Sequence, residues 1–171
     1  RINASELRCK VVGEGGNLGF TQAGRIEYAR NGGRINTDAI DNSAGVDCSD
    51  HEVNIKIALG ASMAAKKLTL SARNTLLKSM TDTVADLVLM DNMLQTQAIS
   101  LAEHYGSALI EPVQQLMHAL EADGFLNRQV EALPEDKQLD ELRASASGLT
   151  RPEIAVLLAY SKMALYRDIK G

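Results

Sequence analysis

The chain contains few of the residues that mark several common classes of protein. Its 171 residues include only two cysteines and three prolines, tryptophan is absent, and aromatic residues make up 4%. Two cysteines cannot build a disulfide framework. Sparse aromatic residues beside abundant leucine, alanine and methionine favour packed helices over a β-sandwich. No apolar run in the sequence approaches the length of a membrane span, so we expect a chain that does not cross a membrane.

The sequence also lacks an excess of positive charge. Lys and Arg total 18 against 22 Asp and Glu, which gives a formal net charge of -4. This balance provides no long-range attraction toward nucleic acid or anionic lipid, so neither is an expected partner. The chain opens without the charged and then apolar pattern of a secretion signal, and we therefore expect a cytoplasmic protein.

What the sequence does contain is a glycine-rich N-terminal third. The segments CKVV (9–12) and RINTDAI (34–40) have the composition of short strands, and GRIEYARN (24–31) has that of a short amphipathic helix. Gly32 and Gly33 break the chain before the second predicted strand. This order of segments predicts a β-α-β fragment.

The remainder of the chain has a helical pattern, because apolar residues recur three and four positions apart from Asp50 onward. Thr150 and Glu153 form a capping signature that predicts a helix start. Gly106 and Gly124 fit helix ends. The sequence therefore predicts a mainly α-helical fold with a small N-terminal α/β portion. The predicted helices span about residues 45–66, 70–104, 109–123, 135–145 and 151–169. The second segment, 70–104, can form either one helix or two.

The stretch VVGEGGNLGF (11–20) raises the question of a phosphate-binding loop. Gly13, Gly15 and Gly19 form a loose version of the dinucleotide-binding fingerprint, and Asp38 is then a candidate for contact with the ribose. The rest of the chain offers no further strands, so a complete nucleotide-binding domain is not predicted. The alternative is a structural turn in which the glycines adopt positive φ angles.

Two segments together resemble a paired signature of the glutamate dehydrogenases. In that family one strand ends in E-G-A-N, and a later strand is followed by N-A-G-G-V and a serine at the start of a long helix. EGGN (14–17) resembles the first motif, and NSAGV (42–46) with Ser49 resembles the second. Ser43 and Ala44 depart from the family pattern. The large NAD-specific bacterial branch is more similar still, through GEGGNLGFTQ, GRINTDAIDNSAGVDCSDHEVNIK and LTRPEIAVLLAYSKM.

The resemblance implies a set of binding residues. Asn17 and Asn42, together with Gly15 and Gly16, would lie on the nicotinamide side of the cofactor NAD. Ser49 would contact the amino-acid substrate near its α-carboxylate. The assignment is chemically reasonable, because a side-chain amide offers both a donor and an acceptor to a carboxamide or a ribose hydroxyl.

The resemblance also implies that the chain is the C-terminal part of a longer enzyme, since the family's catalytic lysine and aspartate lie N-terminal to the matched region. Residues 1–49 would be the C-terminal part of a Rossmann-like NAD-binding domain, and residues 50–171 a helical region that begins with a long connecting helix. We expect the parent to be a homo-oligomer that oxidatively deaminates L-glutamate to 2-oxoglutarate and ammonium. The isolated chain would hold no catalytic residue and is expected to be inactive.

A thiol, an imidazole and a carboxylate lie close together in sequence at Cys48, His51 and Glu52. On one helix, Cys48 and Glu52 share a face and His51 lies three positions from Cys48, which gives at most three metal ligands without a partner segment. We therefore expect no metal site.

Methionines recur among the leucines of the helical part. Core packing is the ordinary explanation, although an adaptable methionine-rich face can serve a partner helix. The alternative function is therefore a helical scaffold or oligomerisation module without catalysis. The methionines concerned are Met80, Met90, Met93 and Met117.

Overall fold

The protein was analysed as a computed structural model that describes residues 2–170. These residues form eight α-helices and two short 3₁₀ turns, at Ala4–Glu6 and Gly106–Leu109. The helices are α1 (Gln22–Arg30), α2 (Asp38–Asp41), α3 (Ser43–Ala64), α4 (Leu70–Ser79), α5 (Thr81–Tyr105), α6 (Ile110–Ala122), α7 (Asp136–Ala144) and α8 (Arg151–Lys170).

The helices predicted from periodicity are confirmed, with boundaries within about two residues. The predicted helix over 70–104 is two helices, α4 and α5, which meet at Met80. Thr69 begins α4, because its hydroxyl oxygen accepts a hydrogen bond from the Ala72 amide at 3.2 Å. Gly106 and Gly124 follow α5 and α6 with φ angles of 54° and 72°, the left-handed conformation that ends helices.

The predicted start of α8 is also confirmed. The Glu153 side chain is 1% exposed, and its Oε2 accepts hydrogen bonds from the backbone amide and the hydroxyl of Thr150 at 2.7 and 2.6 Å. Arg30 donates to the other oxygen of this carboxylate at 3.3 Å, so the cap also ties α1 to α8. The Thr150 hydroxyl acts here as a donor to Glu153.

The prediction of a β-α-β fragment is wrong, because residues 2–170 form no strand or sheet. The two predicted strands meet only at one parallel bridge between Val11 and Arg34. Val12 N donates to Arg34 O, and Arg34 N donates to Lys10 O, both at 2.9 Å. Beyond this bridge the backbone turns at Thr37, whose carbonyl accepts from two amides of α2.

The described chain is therefore helical only, and the expected α/β portion and Rossmann-like remnant are absent from it. A pair of short segments without further strands has too few ladder bonds and too little apolar cover to extend into a sheet. The strand-like composition of residues 34–40 has a different origin, since Ile35 and Ile40 are both buried but Ile40 lies on α2.

The chain divides into two compact units. The first unit comprises the residues up to Asp41 and those from Thr96 onward, and the second comprises Asn42–Gln95. The predicted division into residues 1–49 and 50–171 stays a prediction.

The main hydrophobic core lies in the first unit, among α6, α7, α8 and the segment between α6 and α7. Two smaller clusters in this unit surround Tyr28 and Ile99. The main core consists of Ile110, Met117, Leu120, Leu126, Leu133, Leu139 and Leu157.

The second unit has little core of its own. Among residues 42–95, Val88 is the only buried residue. Core packing therefore explains Met117, which is fully buried, but not Met90 and Met93, whose exposed fractions are 49% and 53%. None of the helices in residues 2–170 combines the length and apolarity that crossing a bilayer requires.

Candidate functional site

The loop that carries the EGGN segment is held by a buried ion pair. The Glu14 carboxylate is 5% exposed and binds Arg25 through two contacts, Oε2 to Nε at 2.6 Å and Oε1 to Nη2 at 3.0 Å. Glu14 Oε1 also accepts from the Phe20 amide at 3.1 Å, which closes the loop over residues 14–20. Burial alone would lower the pKa of Arg25, but its contacts with Glu14 and Asp38 together outweigh burial and raise it. Glu14 is thus a structural residue of this loop.

Two aspartates fix the backbone of the same loop from the other side. Leu18 N donates to Asp38 Oδ2, and Glu14 N donates to Asp41 Oδ2, both at 2.9 Å. The hydrogen bond from Leu18 N and the charge of Arg25, 3.3 Å away, lower the pKa of Asp38 although partial burial opposes the shift. Asp38, considered above for the ribose, is therefore engaged in holding the loop.

Three of the four glycines of the loop leave its backbone open, whereas a Cβ atom at Gly19 would lie 3.3 Å from Glu14 Oε1. A side chain added at Gly13, Gly15 or Gly16 would meet no atom within 4 Å. None of these glycines has a positive φ, and the left-handed residue of the loop is Leu18, with φ 62°. The alternative of a turn that needs glycine for its φ angles is therefore wrong at these positions. The open space beside Gly13, Gly15 and Gly16 instead leaves room for another molecule to approach the backbone.

The structure places the predicted cofactor residues of this loop together at its exposed end. Gly15, Gly16 and Asn17 are all exposed, while the residues on either side are anchored by Glu14 and Asp38. A fixed loop with an exposed amide side chain can present both a donor and an acceptor without first being ordered.

The other predicted binding residues belong to the second unit, where Asn42 immediately precedes α3 and Ser49 lies within it. Asn42 precedes the first residue of α3 with φ -104° and ψ 10°, and its side chain makes no capping hydrogen bond to the helix. A side chain at Gly45 would come within 3.2 Å of Asn42 Oδ1, so Gly45 leaves space for this amide. Ser49 is exposed, and its hydroxyl donates to the Gly45 carbonyl at 3.2 Å.

Asn42 and Ser49 lie on the same side of the helix start. They are two helical turns apart, a separation of about 10 Å along the axis. A purely structural explanation would make Asn42 a left-handed turn residue and Ser49 a helix-capping residue. Asn42 is not left-handed, because its φ angle is -104°. Ser49 is not a capping residue, because it lies inside α3.

In the structure, the acidic groups nearest the His51 imidazole come from Asp47 and Asp91 and not from its sequence neighbour Glu52. Glu52 pairs with Lys56, and Cys48 is an exposed free thiol. His51 Nε2 lies instead 3.5 Å from Asp47 Oδ1 and 3.9 Å from Asp91 Oδ2. The four-residue spacing of Asp47 and His51 was visible in the sequence, whereas Asp91 comes from α5 and gave no local signal.

The comparisons with known proteins establish the family. Residues 1–102 match the family described as bacterial NAD-glutamate dehydrogenase, catalytic domain. The matched range includes both the EGGN loop and the start of α3. The chain belongs to this family, and the resemblance noted in the sequence is confirmed.

Individual relatives agree with this result. The chain is 53% identical to the NAD-specific glutamate dehydrogenase of Pseudomonas aeruginosa, 50% to that of Halomonas elongata and 46% to that of Mycobacterium tuberculosis, each over 169 residues. Each match covers 99% of this chain but 10% of the relative. The chain therefore spans about a tenth of the length of the curated relatives that it matches.

Proposed function

We propose that the chain is part of an NAD-dependent glutamate dehydrogenase. The enzyme would convert L-glutamate, NAD⁺ and water into 2-oxoglutarate, ammonium, NADH and a proton. The observation that carries this proposal is the identity of 46–53% with three NAD-specific glutamate dehydrogenases over 99% of the chain. We also propose that the enzyme acts in the cytoplasm as a homo-oligomer.

Within this enzyme, Gly15, Gly16 and Asn17 would contact the nicotinamide side of NAD. Their exposure and the open space beside the two glycines support this role. The ion pair of Glu14 with Arg25 supports it further, because a loop fixed before binding loses little conformational entropy when the cofactor arrives.

Asn42 and Ser49 would be the binding residues of the second unit. Asn42 would hold the nicotinamide end, and Ser49 would donate a hydrogen bond to the α-carboxylate of glutamate. The Ser49 hydroxyl donates to the Gly45 carbonyl, which is also part of the backbone hydrogen bonding of α3. The hydroxyl can therefore rotate and donate to a substrate carboxylate without leaving a buried group unpaired.

The test is steady-state kinetics of the full-length enzyme with two single substitutions. Asn42→Ala should mainly raise KM for NAD, and Ser49→Ala should mainly raise KM for glutamate. Each lost hydrogen bond is expected to be worth about 1–3 kcal/mol, or roughly five- to a hundredfold in kcat/KM. Melting temperatures should change little, because neither side chain fills a core position.

Ser62→Ala is the matched control. Ser62 lies on the same helix, and its hydroxyl makes the same type of bond, to the Ala58 carbonyl at 3.4 Å. This variant should keep normal kinetics. If Asn42→Ala and Ser49→Ala also have normal kcat/KM values and merely melt earlier, the two residues are structural and the assignment is wrong. The isolated chain, which spans a tenth of its relatives, should produce no NADH from glutamate.

A further inference from the structure

We propose that Asp47, His51 and Asp91 bind a first-row divalent metal ion, for which Zn²⁺ is the probe. One potential ligand atom from each of these residues lies within 4.8 Å of the other two. All three residues belong to the second unit. This metal site does not include Asn42 or Ser49, for which binding roles are proposed above.

The distances in this cluster fit a shared ion better than direct hydrogen bonds. His51 Nε2 is 3.5 Å from Asp47 Oδ1 and 3.9 Å from Asp91 Oδ2, both too long for a good hydrogen bond. Two ligand atoms at about 2.0–2.2 Å from a tetrahedral zinc ion are separated by roughly 3.3–3.6 Å. Small side-chain rotations would therefore bring the three ligand atoms to bonding distance.

The Asp47 carboxylate supplies a second, independent observation. Its Oδ2 atom is buried and has no hydrogen-bond partner. A buried carboxylate oxygen without a partner is unfavourable, and a bound ion is one way to satisfy such an atom although the Asp47 side chain as a whole is 25% exposed. A cation bound by Asp47 would neutralise this carboxylate.

The backbone around the cluster is held in register without the metal. Asp47 and His51 are four residues apart on α3, so their side chains lie on one face of that helix. One turn before Asp47, the Ser43 hydroxyl donates to Asn92 Oδ1 at 2.5 Å. Because Asn92 follows Asp91 in the chain, this bond holds the backbone of α5 beside α3 at the level of the third ligand.

The ligand types indicate the class of ion. An imidazole nitrogen with two carboxylate oxygens suits zinc, cobalt or manganese better than magnesium, which prefers oxygen ligands and keeps its waters. Three protein ligands leave a fourth position for water. The ion would also join α3 to α5 in a unit in which Val88 is the only buried residue, where a metal can supply stability that the core does not.

The test is a calorimetric titration of the metal-free chain with Zn²⁺, and of the variants His51→Gln and Asp91→Asn. We expect one site in the original chain and a loss of affinity of about tenfold or more in each variant, since even the loss of a residue that only hydrogen-bonds to a metal ligand costs that much. Titration with Co²⁺ provides a second readout, in which tetrahedral absorption bands appear in the original chain and are lost in His51→Gln. Circular dichroism verifies that each variant is folded.

Two control variants are available in the same chain. His118 Nε2 lies 3.0 Å from Asp136 Oδ1, but Arg128 binds the same carboxylate at 2.7 Å, so His118→Gln should bind Zn²⁺ normally. Cys48→Ser should also bind normally. The proposal is overturned if Zn²⁺ does not bind, if His51→Gln and Asp91→Asn retain the original affinity, or if Cys48→Ser abolishes binding, which would make the thiol the ligand.

Discussion

Asp38 holds the glycine loop by its backbone, and its charge makes this contact dependent on pH. The Leu18 amide donates to the carboxylate at 2.9 Å, and this bond is the main reason that the pKa of Asp38 is lowered below its ordinary value of 3.8. A carboxyl whose pKa is lower in the folded state contributes stability above its unfolded pKa. The contribution is lost as the pH falls through the lower folded value.

We therefore expect the NMR signal of the Leu18 amide to titrate with a midpoint below pH 3.8. At neutral pH, Asp38→Asn should be less stable than the original chain, and the difference should shrink in acid. The variant should also lack the Leu18 titration. A midpoint at or above the ordinary value would show that the hydrogen bond does not control this carboxyl.

Single residues of the site could be predicted only in part. Asn17, Asn42 and Ser49 were selected by resemblance, because nothing in their spacing distinguishes a binding residue from a turn or helix-start residue. The role of Glu14 was not predicted, since its partner Arg25 lies on the following helix and their contact depends on the fold. For the same reason the sequence analysis grouped His51 with Cys48 and Glu52, whereas in the structure the imidazole lies near Asp47 and Asp91.

At the level of elements, the helices could be predicted because their determinants are local. Apolar spacing, the Thr150–Glu153 cap and the glycines after α5 and α6 all act within a few residues of the positions that they define. Strands are different, since each needs a neighbour to bond its backbone. The segments around Val11 and Arg34 have strand-like composition, but they pair only with each other and form a single bridge.

Gly33 shows how tightly this bridged segment packs against α1. A methyl group at Gly33 would lie 2.2 Å from Tyr28 Cε1, well inside van der Waals contact. Tyr28 is 3% exposed, and its hydroxyl donates to the Cys9 carbonyl at 2.7 Å, so the ring cannot move away freely. Gly33→Ala should lower the free energy of unfolding by about 1–3 kcal/mol in a urea titration.

Gly60→Ala is the control for the exchange of glycine for alanine. Gly60 is exposed within α3, and an added side chain would meet nothing within 4 Å. This variant should be more stable by up to about 1 kcal/mol, because alanine favours helix. An unchanged stability of Gly33→Ala would mean that Tyr28 and its surroundings accommodate the methyl group.

At the scale of the whole molecule, the two units differ in how they are stabilised. The first unit has a main core cluster in which Met117 and Leu139 are fully excluded from solvent. The second has many exposed apolar side chains on α5, among them Leu89 at 67% and Met93 at 53%. Its helices are therefore expected to open at a smaller free energy than those of the first unit.

Amide hydrogen exchange of the isolated chain, followed by mass spectrometry of its peptides, measures this difference. After correction for intrinsic rates, amides of α6 should exchange at least about tenfold more slowly than those of α3, which corresponds to a difference of roughly 1.4 kcal/mol in opening free energy. Leu139→Ala should speed exchange in α6, because truncating a buried leucine costs about 2–5 kcal/mol. This expectation depends on burial alone. By length alone α3 would be the more stable helix, because it is longer than α6. Equal protection of α3 and α6 in the original chain would show that contacts other than core burial hold the second unit together.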